Sequence, residues 1–193
     1  AAVVLGVFVL RAAWLHATDS PGAVATGAAA ALAALVFVGC QGMILRAAKG
    51  IPAWRSSATP WLIVATSLAE GAGLWWIAAA AHAQGTRTGL ALFGALLCVR
   101  LFAWLAWRRS IARNARASAA MAPAGTALSV LGTALPLVLA GVAAISTSPA
   151  VVLGLAGALA FGTGIAFKIA LVVRGAFNQG FAIPHMPVRG KRA

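Results

Sequence analysis

The sequence predicts an all-α fold, a polytopic bundle of transmembrane helices, and two observations lead to this prediction. Hydrophobic residues make up 62% of the chain and charged residues only 9%, compared with about a quarter in soluble domains. Apolar runs of about 20 residues, long enough to cross a bilayer, alternate with short segments that contain Pro, Gly and basic residues. Residues 1–175 are expected to form the bundle, and residues 176–193 a polar C-terminal tail suited to docking a partner subunit.

Six membrane spans are expected in this chain. In order they are Ala1–His16, Ala23–Ala48, Pro60–Ala81, Thr88–Trp107, Ala124–Ile145 and Ala150–Val173. About 14 apolar residues give only ~21 Å of helix, less than the ~30 Å hydrocarbon core, so we expect the first to be a partial span preceded by further residues. The basic stretch 108–116 and Pro123 are expected to separate the fourth span from the fifth, where Pro136 is a tolerable kink.

The basic residues collect at one end of the predicted spans. Eleven of the 15 Lys and Arg follow the second, fourth and sixth spans, whereas Arg87 is alone at the opposite end. Since Lys and Arg in short loops collect in the cytoplasm, the C-terminus is predicted to be cytoplasmic. The net charge of +13 then reflects topology and anionic membrane lipid, not nucleic acid. Interfacial anchoring is expected for Trp54, Trp61, Trp104 and Trp107 at the basic end, and for Trp75 and Trp76 at the other.

Glu70 is the single carboxylate in the span Pro60–Ala81, near its middle. An ionisable group at this depth is costly and indicates a functional site. Arg100, in the next span, lies at a matched distance from the basic end, so we expect Glu70 and Arg100 to pair and to act together in catalysis. Two alternatives remain: the helices present these residues to different neighbours, or Glu70 is protonated and bonded to Ser67.

A quinone pocket is expected at the cytoplasmic end of the second and third spans. There, Trp54 and Trp61 would form walls for the ring, and Arg46 or Arg55 would bind its oxygens. Quinone redox chemistry is coupled to proton transfer, and Glu70, with Ser67 one turn before it, would supply the protonatable group. The alternative is an ordinary belt of Arg and Trp at the membrane interface.

Histidines and cysteines give little support to a metal site. His16 and His82 would lie at the same end of the bundle, where an axial pair for haem b is conceivable, but neither is embedded in its span. The alternative is that each is a polar residue at a helix end, and His185 is expected at the surface of the tail. Cys40 and Cys98 have no ligand spacing. We therefore predict no metal in this chain.

Two segments carry a resemblance to a known family. CQGMILRAAKGIPAWRSSATPWLIVATSLAEGAGL, Cys40–Leu74, and RGAFNQGFAIPHMPVRG, Arg174–Gly190, resemble the NrfD/DmsC-type membrane anchor subunits of molybdopterin iron-sulfur oxidoreductases. The closest likeness is to the DMSO-reductase anchor branch, including phenylacetyl-CoA acceptor oxidoreductase subunits. Members generally have eight helices. The six spans here lack a counterpart to the family's N-terminal helices, which usually carry a His/Gly/Arg loop and an acid near the quinone site.

The resemblance implies a haem-free, quinone-reactive anchor subunit. Such a subunit passes electrons between menaquinone or ubiquinone and a partner four-cluster ferredoxin-like iron-sulfur subunit. That partner feeds a molybdenum or tungsten (molybdopterin) catalytic subunit, in the cytoplasmic membrane of a bacterium or archaeon. From charge placement we expect this catalytic arm on the basic side.

Three alternatives to this function stay open. A proton-coupled small-solute transporter would also use an intramembrane acid, a haem b-containing anchor would use the histidines, and a passive assembly anchor would use Glu70 only structurally. Whether the chain is itself catalytic is left open in all of them.

Overall fold

The computed structural model describes residues 22–48, 50–81, 87–146 and 149–177, together with positions 9, 11, 13 and 16. All regular secondary structure in these ranges is helical. The elements are α1 (Ala23–Ala47), α2 (Thr59–Ala81), α3 (Arg87–Ile111), α4 (Ala115–Ser129), a π-helical turn (Val130–Ala134), α5 (Leu135–Ile145) and α6 (Pro149–Phe177). Five stretches, with α4 to α5 counted as one, are long and apolar enough to cross a membrane.

The all-helical fold is thus confirmed for the described residues, with the long apolar helices of a multi-pass membrane protein. The first of the six predicted spans, Ala1–His16, lies outside these residues except at four positions. The predicted tail lies outside them beyond Phe177, so its docking role stays a prediction.

The connection between α3 and α4 is shorter than predicted. α4 begins at Ala115, because the Asn114 side chain accepts a hydrogen bond from the Ala117 backbone N–H (3.0 Å) and caps the helix. Pro123 lies inside α4, and the apolar stretch continues to Ile145. The predicted start of this span at Ala124 is therefore wrong, since the cap precedes the proline and Pro123 removes only one N–H from the helix.

The helices α2 and α6 form the centre of the bundle. At their crossing, a Cβ added to Gly73 would lie 2.6 Å from the carbonyl oxygen of Gly157, and one added to Gly157 would collide with the carbonyl of Gly73. Small residues permit such backbone contact between membrane helices. α1 packs on α2, α3 packs on α2 and α4, and the stretch from α4 to α5 lies along α6. Side chains on the facing sides of α2 and α6 are therefore brought together.

The buried core consists of two apolar clusters with a polar layer between them. Near the basic end, Trp104, Trp107 and Phe167 pack with ring centroids 5.3 to 6.2 Å apart. The cluster at the other end is rich in alanine and surrounds Trp76, Phe93 and Leu97. The buried polar residues outside these clusters include Glu70, Arg100 and Thr133.

Tryptophan placement differs in part from the prediction. Trp104 and Trp107 are 4% and 0% exposed, and Trp76 is also buried, so the expectation that these three are interfacial anchors is wrong. Their rings fill the space between helices, where they bury more apolar area than at a lipid interface. Trp61 and Trp75 are exposed, as membrane anchors are.

The loop between α1 and α2 is fastened to the end of the bundle by two indoles. Trp107 Nε1 donates to the Ala53 carbonyl and to Thr59 Oγ1, both at 3.1 Å. In return, Trp54 of the loop donates from Nε1 to the Leu171 carbonyl of α6 at 2.8 Å. These bonds join the loop and the start of α2 to α3 and α6 at the basic end.

Candidate functional site

An ion pair lies between the two central helices. The Lys168 ammonium of α6 is 2.6 Å from Glu70 Oε2 of α2, and it donates a second hydrogen bond to Ser67 Oγ at 2.9 Å. Glu70 is buried, whereas the Lys168 side chain keeps 29% of its surface exposed. Glu70 follows Thr59 by eleven residues and Lys168 precedes Phe177 by nine, so both lie roughly 13–17 Å from the basic helix ends, near mid-membrane.

Residue spacing on each helix explains this contact. Ser67 and Glu70 are three residues apart on α2, so their side chains share a face, as do Gly164 and Lys168, four residues apart on α6. A Cβ at position 164 would collide with Glu70 Oε1. The absent side chain of Gly164 therefore makes room for the carboxylate, and Lys168, one turn further along, binds it.

Arg100 takes a different place from the one predicted. Its side chain is fully buried, and it donates from Nη1 to the Ala160 carbonyl (2.9 Å) and from Nη2 to Thr133 Oγ1 (3.2 Å). Thr133 in turn donates to the Leu128 carbonyl at 3.0 Å. The predicted ion pair between Glu70 and Arg100 is therefore wrong: the guanidinium reaches the α6 backbone and the π-helical turn, and Lys168 takes its place beside Glu70.

Two polar atoms of this layer keep hydrogen-bonding capacity. Glu70 Oε1 and Arg100 Nε are buried and have no hydrogen-bond partner among the described residues. A carboxylate can accept several hydrogen bonds through its two oxygens. The oxygen of Glu70 that faces away from Lys168 is thus open to a further donor or a proton.

Two cavities flank the ion pair on the side of α1. One, of about 290 Å³, is lined by Gln41, Ile44, Leu45, Ile63, Lys168 and Val172. The other, of about 270 Å³, is lined by Ser67 and by apolar residues of α1 and α2. Since Gln41, Ile44 and Val172 are exposed, the first cavity opens on the outer surface of the bundle, where lipid lies in a membrane. We call it the Lys168 cavity.

None of the residues predicted for the quinone pocket is among the described residues that line the Lys168 cavity, although Ser67 is bonded to Lys168. Arg46 and Arg55 are exposed, Trp61 is 73% exposed, and the indole N–H of Trp54 is bonded to α6. The cavity does lie near the basic ends of the second and third spans, because Leu45 and Ile63 belong to those ends. The roles predicted for Arg46, Trp54, Arg55 and Trp61 in binding a ring stay predictions.

Sequence reasoning missed Gln41 and Lys168. A partial signal was present for Lys168, since it is a cation inside the last predicted span and Gly164 precedes it by one turn. Its depth matches that of Glu70 only when counted from the observed helix end at Phe177. No comparable signal marked Gln41, because a single amide near the end of a span is unremarkable until the cavity beside it is known.

A metal site finds no support in the described ranges. No group of three His, Cys, Asp or Glu side chains lies close enough there to hold an ion. Of the predicted haem ligands, His16 is exposed, and His82 lies outside the described residues, as does His185 of the tail. The haem alternative therefore stays open.

Comparison of the chain with protein-family models, curated proteins and solved structures found no match. The resemblance to NrfD/DmsC-type anchors therefore stays an interpretation of the two sequence segments.

Proposed function

We propose that this chain is a haem-free, quinone-reactive membrane subunit that passes electrons between the quinone pool and a partner iron-sulfur subunit of a molybdenum or tungsten oxidoreductase. The observation that carries the proposal is the hydrogen-bonded cluster of Ser67, Lys168 and Glu70 beside a cavity that opens towards lipid. A charged, proton-bearing cluster in mid-membrane is retained where it serves a function. A lipid-facing entrance selects a ligand that is itself dissolved in the bilayer.

The lining of the Lys168 cavity fits a quinone ring. Four of its six residues are aliphatic, and the two others, Gln41 and Lys168, carry N–H donors for carbonyl oxygens. A volume of about 290 Å³ is close to the lower end of the ~300–1,000 Å³ range of small-molecule sites. Apolar walls with a few placed donors are the arrangement that such ligands use.

The chain's own residues would handle the protons of this chemistry. A quinone, when bound, supplies two-electron redox chemistry coupled to two protons. Lys168 would hold a ring oxygen by an N–H bond, while Ser67 fixes the direction of its ammonium group. Glu70 would keep the ammonium charged and, through Oε1, which has no hydrogen-bond partner in the described part of the chain, hold or release a proton.

The partner subunit is expected at the basic end. Exposed arginines lie there in the last turns of α3 and α6, in the connection after α3 and in the first turn of α4. They include Arg108, Arg109, Arg113, Arg116 and Arg174. Such a surface attracts an acidic partner face by electrostatic complementarity. The cavity lies on the same half of the bundle, which would keep the distance for electron transfer short.

Ligand binding tests the proposal directly. The chain would be purified into lipid nanodiscs and titrated calorimetrically with a short-chain ubiquinone and a short-chain menaquinone. Ile44→Trp, which fills the cavity, should weaken binding at least about tenfold, equal to ~1.4 kcal/mol. Val36→Trp is the matched control, since Val36 is a similarly exposed aliphatic residue on α1 that does not line the cavity. Equal affinities for the two variants would contradict the proposed site.

The assembly part of the proposal needs a separate measurement. An affinity-tagged chain isolated from its own host membranes should bring down an iron-sulfur protein and a molybdopterin protein, identified by mass spectrometry. Isolation as a single 19.4 kDa polypeptide would contradict this part. A reduced b-type α band in the visible spectrum would favour the haem-containing alternative.

A proton-coupled transporter is the second candidate, and one observation favours it. The stretch Ala115–Ile145 is interrupted by a π-helical turn that is bonded to the buried Arg100, and interrupted helices line solute sites in transporters. Proton uptake into sealed liposomes, driven by a solute gradient with no quinone present, would support this candidate. Proton uptake that occurs only with quinol and an electron acceptor would support the first.

A further inference from the structure

A second groove lies on the opposite side of α6, between α4 and α6. It has a volume of about 490 Å³, and its lining includes Pro123 and Ala127 of α4 and Ala166, Ala170 and Arg174 of α6. Glu70, Lys168 and the other residues of the Lys168 cavity do not line it. It is therefore separate from the site described above, and we call it the α4/α6 groove.

Small residues form the α4/α6 groove. Alanines on both helices leave a channel between them, and the buried ring of Phe167 closes its floor. Ile169 and Val173 at its edge are more than half exposed, so the groove opens on the outer surface of the bundle. Thr163 is the polar lining residue towards mid-membrane, and its hydroxyl donates a hydrogen bond to the Leu159 carbonyl at 2.6 Å. The interior of the groove is thus apolar.

The dimensions of the groove match one leaflet of a bilayer. On α6 its lining extends from Thr163 to Arg174, eleven residues apart, which is roughly 16 Å along a helix. Half of a ~30 Å hydrocarbon core is about 15 Å. The groove therefore runs from mid-membrane to the basic surface, the path of an acyl chain.

Charge at the mouth of the groove specifies the head group. Arg174 lines the groove at its basic end and is exposed. Glu70 is the only acid among the described residues, and it lies in the ion pair with Lys168, away from this end. By the distribution of Lys and Arg, this end faces the leaflet that is rich in anionic lipid.

We propose that the α4/α6 groove binds an anionic glycerophospholipid, with an acyl chain between α4 and α6 and the phosphate at Arg174. This site does not depend on the proposed quinone function. The lipid would fill a channel that alanines leave open and would hold α4 against α6 at the basic end.

Native mass spectrometry of the detergent-purified chain tests this proposal. Phosphatidylglycerol and phosphatidylcholine with identical acyl chains serve as probes. The wild-type chain should bind phosphatidylglycerol more tightly than phosphatidylcholine. Arg174→Gln should reduce this ratio of affinities about fivefold, which is the contribution of one basic residue near an anionic surface. Arg113→Gln is the matched control, because Arg113 is exposed at the same end but does not line the groove.

A groove-filling variant tests the acyl-chain part of the site. Ala170→Phe should weaken the binding of both lipids, while Ala158→Phe, at an exposed position of α6 that does not line the groove, should leave both unchanged. Equal binding of the two lipids to the wild-type chain would overturn the proposal. So would an equal loss in Arg113→Gln and Arg174→Gln, which would indicate attraction to the basic surface as a whole, or unchanged binding in Ala170→Phe.

Discussion

Lys168 and Arg100 are both cations inside membrane spans, yet their surroundings differ. Lys168 is bonded to a carboxylate, keeps 29% of its side chain exposed and borders a cavity. Arg100 is fully buried, donates to a carbonyl and a hydroxyl, and lines none of the cavities described above. One cation is reachable from the membrane, and the other is enclosed by the protein.

This difference is the reason to expect different roles for the two cations. Arginine suits an enclosed position because its planar group is weakly hydrated and offers five donors in fixed directions. Lysine exchanges its proton more readily when it is buried, and it carries three donors on a flexible stem. We therefore expect changes around Lys168 to affect ligand binding, and changes around Arg100 to affect stability alone.

The largest effect is expected for the ion pair itself. Glu70→Gln should lower the free energy of unfolding by an amount near the lower end of ~3–5 kcal/mol. The variant leaves the Lys168 ammonium without its partner, and the partial exposure of Lys168 reduces the cost. Lys168→Met should have a similar effect by stranding Glu70. The double variant should recover most of this loss, since neither charge then remains.

Reversible unfolding in mixed detergent and SDS micelles measures these energies. Both single variants should also lose quinone binding in nanodiscs, and the double variant should not regain it. Losses in stability that add strictly in the double variant would mean that the two residues do not interact, contrary to the 2.6 Å contact.

The enclosed cation should give a smaller effect of a different kind. Thr133→Val removes the acceptor of Arg100 Nη2 and should lower unfolding free energy by ~1.5–3 kcal/mol, the contribution of a hydrogen bond to a charged group. Quinone affinity should not change. Thr126→Val, at an exposed position of the same span, should leave both quantities unchanged. A loss of quinone binding in Thr133→Val would remove the distinction between the two cations.

The smallest effect is expected where the helix backbone meets the ion pair. Gly164→Ala places a methyl group against the Glu70 carboxyl, so we expect a destabilisation of ~1–3 kcal/mol from overpacking and weaker quinone binding as the pair shifts. Gly162→Ala, two residues away with open space around it, should be neutral or slightly stabilising because alanine favours a helix. If Gly164→Ala and Gly162→Ala had the same stability and the same quinone affinity, Gly164 would not position Glu70.

The helices were predictable from hydropathy, but their ends were less so. Long apolar runs mark spans whatever their neighbours are, and therefore the five described spans fall where the sequence predicted them, apart from their ends. The start of α4 depended on one hydrogen bond from Asn114, and Pro123 gave a stronger but misleading signal. Burial of Trp104 and Trp107 could not be predicted either, because it depends on which face of α3 meets α6.

The position of Glu70 among the buried groups of the spans was predictable, and its partner was not. Depth in the membrane follows from counting residues, and this count gave comparable depths for Glu70 and Arg100. Lys168 joins them only when its depth is counted from the observed helix end at Phe177. Which of the two cations meets the acid depends on helix rotation and on the room left by Gly164, which a single sequence does not specify. Gln41 joined the candidate site only through the packing of α1 against α2.

The π-helical turn also determines which side of the span from Ala115 to Ile145 faces the bundle. Ala117 and Ala143 are both buried, yet an uninterrupted α-helix, turning about 100° per residue, would place them roughly 80° apart around its axis. The wider turn at Val130–Ala134 accommodates an extra residue and absorbs this drift, so one face stays inward along the whole span. Deleting one residue there would rotate all of α5 and turn its buried alanines towards lipid. The number of residues in this turn therefore sets which face of α5 packs against the bundle.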